Sequence, residues 1–210
     1  LPPQIDELRA AVQSALDSNM ALLEHLRDTA VFRLTAQKLE RSKAEHRVRA
    51  SADLVKTYTR RAVAGGLAAI SPGTDILIQG YLGTQMVKSL CELYDVPVRD
   101  IELQKLLNLS QKQVRTALPL LLAVAGNAAK AFPGIGTLAG GLMHAVAYGL
   151  IFDALGRAVV RTLETRGELR PAPASLTFRD NLVADVDSQA RKLLRLALDI
   201  RKEQGDNDKG

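Results

Sequence analysis

The run from Ala131 to Phe152, AFPGIGTLAGGLMHAVAYGLIF, contains no charged side chain and constrains this chain more than any other stretch. Lys130 closes it on one side and Asp153 on the other. As a continuous helix the run would reach about 33 Å, the thickness of a bilayer's hydrocarbon core. The Pro133-Gly134-Ile135-Gly136 opening predicts regular helix only from near Thr137, which shortens the span. The segment is therefore either a deeply buried core helix or a membrane-seeking one.

Bulk properties narrow the setting. With 24% charged residues among 210, the chain is not mostly intramembrane. Aromatics are sparse at 4%, with no Trp, and Ala and Leu stand in their place, as close helix packing requires. A net charge of +5 suits an anionic partner, whether headgroups or nucleic acid, and also suits a solvated surface. One cysteine, Cys91, excludes an internal disulfide framework and makes a reducing compartment the default, so the chain is expected in the cytoplasm. No signal peptide is legible, because Asp6, Glu7, Asp17, Glu24 and Asp28 interrupt the first 30 residues. The chain begins at Leu1 rather than Met and reads as a piece of a longer protein or a processed chain.

Periodicity predicts an all-α fold: a helical bundle with a long N-terminal helix and two apolar helical hairpins, each led by Pro-Gly. Apolar residues recur at helical spacing from Ile5, Leu8, Val12 and Leu16 through Leu22, Leu23, Leu26, Ala30 and Leu34 to Val48, Leu54 and Val55. Asp17-Ser18-Asn19 and Gly65-Gly66 are the expected punctuation points. Residues 35–61 are dense in charge and read as exposed helix with i,i+4 pairs such as Glu45 with Arg49. Ser71-Pro72-Gly73-Thr74 predicts a turn capping a helix from near Asp75 to Tyr94, and Val96-Pro97-Val98 a break. A short helix over 99–108 is followed by a second, capped by Ser110 with Gln113, which continues despite Pro119. The helix after Pro133 is expected to reach Thr165. The expected division is an N-terminal helical segment over 1–59, a helical core over 60–169, a linker at 170–174, an amphipathic helix over 175–204 and a disordered tail over 205–210.

No active site is visible. No GxxxxGK[ST] loop occurs, and Gly134-Ile135-Gly136 lacks the preceding strand that a dinucleotide loop needs. His25, His46 and His144 are isolated, so no metal site is expected, and His144 reads as a satisfied core or interface histidine. Asp75 suits the positive end of a helix, and Asp153 with Arg157 an i,i+4 ion pair. Nucleic acid is the weakest partner candidate, since the basic residues are interleaved with acids and no aromatic platform accompanies them. The small residues say more. Gly136 and Gly140 form GxxxG, and Gly141, Ala145 and Gly149 continue at four-residue steps, a stripe that lets another helix approach closely in a membrane or in a soluble bundle.

Two segments together resemble the YcjF-like family of helical domains that accompany Era-like GTPases in bacteria. One is RRAVAGGLAAISPGTDILIQGYLGTQMVKSLCELYDVPV, residues 60–98, with Pro72, Gly73 and Asp75; the other is AFPGIGTLAGGLMHAVAYGLIFDALGRAVVRTLE, residues 131–164, with Pro133, Gly134, Gly156 and Arg157. PQIDELRAAVQSAL, residues 3–16, is similar to the final helix of an Era-like GTPase domain. The resemblance implies a non-catalytic regulatory or localising module of a bacterial GTPase, docked on the inner membrane, peripherally or integrally, or on a protein partner. GTP and Mg would then belong to an upstream domain, and no cofactor to this chain. A membrane-inserting or pore-forming protein and a structural oligomerisation module are the alternatives.

Overall fold

A computed structural model describes residues 5–68, 74–130 and 139–207, and in these the chain is all-α, with seven helices and no strand. They are α1 (Asp6–Ser18), α2 (Met20–Ala68), α3 (Thr74–Leu93), α4 (Asp100–Lys130), α5 (Ala139–Arg166), α6 (Pro171–Val183) and α7 (Val186–Asn207). Two units divide between His46 and Arg47. The first consists of α1 and the opening of α2, and none of its described residues is buried. The second is a bundle built around α5, which packs against α3, α4, α6 and α7 and, through its glycines, against α2.

The break at Asn19 is where the polar punctuation predicts it. Other boundaries fall elsewhere, for local reasons. Gly65-Gly66 does not end α2; the helix passes through both, and Gly66 is buried. Ser110 caps nothing, since α4 is one helix from Asp100 to Lys130. Leu103, Leu106, Ser110, Leu121 and Ala128 keep a single buried stripe in phase across the expected boundary, and that continuity outweighs the local capping signal. Pro119 is tolerated within α4 because it faces solvent, as do Arg115 and Thr116 a turn earlier, so water can take the freed carbonyl.

The expected linker at 170–174 is instead the start of α6. Pro171 occupies the first turn, where its missing N–H would have had no helical partner, and Ala174 and Ser175 are buried. The single C-terminal helix expected is two, divided at Ala184 and at Asp185, whose φ of 51° lies in the left-handed region that Asp tolerates. Part of the expected disordered tail is helical, because α7 continues to Asn207. The motif residues Pro72, Gly73, Pro133, Gly134 and Gly136, and with them both Pro-Gly turns, lie outside the described residues.

Candidate functional site

The small-residue stripe on α5 has a partner inside this chain. An ideal Cβ placed on Gly149 would lie 2.8 Å from Cγ2 of Val63 and 2.9 Å from Cδ2 of Leu193. One placed on Gly156 would lie 2.6 Å from Cγ2 of Val55. One on Gly66 would lie 2.7 Å from the Cα of Ala145. Ala145, Gly149 and Gly156 thus form the seam against which α2 runs antiparallel, with Val55, Val63 and Gly66 in register. The close approach was legible at Ala145 and Gly149, and the seam continues to Gly156 rather than back to Gly141. Gly141 is exposed with open space about it, Gly140 is the second residue of α5, and Asp75 is the second residue of α3.

Beside this seam α2, α5 and α7 enclose a cleft of about 890 Å³. Val55, Val160, Leu193 and Leu196 supply apolar wall. Lys56 from α2, Arg161 from α5 and Lys192 from α7 add cations, and none of the three has an ion-pair partner among the described residues. Arg157 is a fourth cation on the lining, and two carboxylates accompany them. Asp153 pairs with Arg157 at 2.8 Å, as the i,i+4 spacing predicts, and Glu164 accepts a 2.9 Å hydrogen bond from the Tyr94 hydroxyl. Thr59, also on the lining, is buried with its hydroxyl unpaired, an arrangement that costs about 1–3 kcal/mol when nothing satisfies the group. On sequence, Lys56 belongs to the charge-dense exposed helix of residues 35–61 and Arg161 suits either anionic headgroups or a helix end facing water, while Lys192 and Thr59 carry no signal of their own. The signal was there only as single residues on three helices far apart in the chain.

A smaller cavity of about 440 Å³ lies among α3, α4, α5 and α6, lined by Leu107, Val114, Phe152 and Phe178, and by Ser110 with a second unpaired buried hydroxyl. His144 is exposed, not a core histidine; its ring lies 6.4 Å from that of Tyr148. Arg47 pairs with Asp95 at 2.6 Å and lies over the Tyr94 ring, joining α2 to the end of α3. Burial raises the Tyr94 phenol above its ordinary range, and Glu164 adds to the rise through the hydrogen bond it accepts. Burial, and secondarily the charge of Glu102, pushes the Cys91 thiol up to about 11, so this cysteine is an inert core group at neutral pH. The described residues hold no cluster of three or more His, Cys, Asp or Glu suited to a metal.

The first unit offers a different kind of surface. Ile5, Leu8, Val12 and Leu16 of α1 continue in phase into Met20, Leu23, Leu26, Ala30 and Leu34 of α2, across a one-residue irregularity at Asn19. At 100° per residue the nine fall within about 120° of the helix circumference. All are exposed, the eight larger ones by between 41% and 66%. No protein-family model, curated protein or solved structure matches this chain.

Proposed function

We propose that this chain is a non-catalytic helical module that self-associates through the apolar face of residues 5–34. The observation that carries this reading is the face itself: nine apolar positions in phase, none of them covered. A face of 30 helical residues is about 43 Å long, and a partner must present apolar surface over a similar length. A second copy of the chain does so by construction. At about 100 Å² for each apolar side chain, pairing would cover on the order of 800 Å² per copy, the size of a standard stable interface. Within its parent chain the module regulates or localises a bacterial GTPase, a role that rests on the resemblance of residues 60–98 and 131–164. A GxxxxGK[ST] loop ahead of Leu1 in the parent chain is what that role requires.

Sedimentation velocity between about 1 and 100 µM tests the association. The wild-type chain is expected to shift from monomer to dimer, and the double substitution Leu8→Glu with Leu26→Glu to stay monomeric while remaining helical. A wild-type chain monomeric throughout overturns the reading.

Insertion in lipid is the competing reading, and one helix favours it: Gly141–Arg166 is long and apolar enough to cross a bilayer. Its apolar window is 67% buried in the bundle, so insertion would first have to open the seam with α2. Flotation with anionic vesicles that survives high salt would favour that reading; flotation lost in salt would reduce it to headgroup contact.

A further inference from the structure

We infer that the cleft among α2, α5 and α7 binds a single-chain anionic amphiphile, of which a long-chain fatty acid is the simplest representative. The inference is independent of the apolar face on residues 5–34, because every residue lining the cleft lies between Val48 and Leu196.

Three features of the cleft specify the ligand. Its volume, about 890 Å³, falls within the 300–1,000 Å³ typical of small-molecule sites and accommodates an extended acyl chain. Its deepest walls are aliphatic: Val55 and Leu193 are almost wholly buried, and Val160 and Leu196 partly so. No Phe, Tyr or Trp lines it, so it lacks the stacking surface a nucleobase would use. The third feature is charge. Lys56, Arg157, Arg161 and Lys192 line it from three helices against two carboxylates, Asp153, which pairs with Arg157, and Glu164, which accepts from the Tyr94 hydroxyl; among the described residues Lys56, Arg161 and Lys192 have no ion-pair partner. The lining therefore carries an excess of positive charge beside aliphatic wall, and an anionic head group meets that excess while its tail covers the wall.

The test uses the whole chain and two probes of equal tail length, palmitate and the uncharged 1-monopalmitin, each below its aggregation threshold. Wild-type protein is expected to bind palmitate at least tenfold more tightly than monopalmitin. The triple substitution Lys56→Gln, Arg161→Gln and Lys192→Gln should abolish that preference with the helical circular dichroism unchanged, since all three side chains are exposed. A diazirine-bearing palmitate, cross-linked and mapped by mass spectrometry, should label residues 48–59, 153–165 or 189–196. No palmitate binding by the wild-type chain, an undiminished preference in the triple variant, or labels confined to residues 5–34 would each overturn the assignment.

Discussion

Residues 20–46 and 47–68 are two parts of one helix, and they have opposite fates. The first part carries Leu23, Leu26 and Leu34 on an exposed face; the second buries Val55, Ala62 and Val63 almost completely. Both parts are amphipathic and both are helical, so neither propensity nor periodicity separates them. What separates them is the surface opposite. Ala145, Gly149 and Gly156 of α5 remove the side chains that would hold α2 away, and dispersion contacts then accumulate along the seam. Residues 5–34 are exposed throughout. An apolar stripe on a helix is thus a capacity for burial, and small residues on another element convert it into packing.

The sharpest way to break this contrast is to truncate one phenylalanine from each region. Phe178 is 0% exposed and Phe32 is 74% exposed. Phe178→Ala should lower unfolding stability by about 3–5 kcal/mol, and Phe32→Ala should change it by about 0.5 kcal/mol or less. Urea denaturation at a concentration where the chain is monomeric measures both, and equal losses would mean the first region is packed after all.

Alkaline titration tests how dry the bundle is. The Cys91 thiol is raised from 9.0 to about 11, so between those values the unfolded chain has released a proton that the folded chain retains. Stability conferred by the neutral thiol is complete below pH 9 and is lost as pH rises through about 11. The raised Tyr94 phenol acts in the same direction at the upper end. Cys91→Ala should flatten the decline between pH 9 and 11; an unchanged slope would show that the thiol contributes nothing to it.

The seam itself is open to a more selective test. Gly156→Ala gains helix propensity but pushes a methyl group against the stiff, buried Val55, for an expected net loss of about 1–2 kcal/mol. Val55→Ala should then cost less in that background than in the wild type, and identical costs would rule out their contact as the cause. The smallest effect belongs to Gly80, an exposed glycine within α3 whose added Cβ would meet nothing within 4 Å. Gly80→Ala should stabilise by about 0.5–1 kcal/mol, the propensity term without the clash.

Much of this arrangement was written in the sequence. Helical spacing and the lack of any sustained period-two pattern determined the all-α class. The break at Asn19, the interruption at Val96-Pro97-Val98 and the Asp153–Arg157 pair follow from local chemistry, because each involves neighbours on one or two turns of chain. The stripe through Ala145 and Gly149 announced a close approach without naming what approaches. Tertiary structure alone decided that its partner is α2, that Gly66 lies inside a helix, that Ser110 is a core residue and that Pro171 opens α6. Each of these turns on whether a continuous buried face outweighs a local signal, and burial depends on residues remote in sequence. The cleft belongs to the same category: Lys56, Arg161 and Lys192 become one cationic site only when α2, α5 and α7 pack, so no local pattern could have joined them.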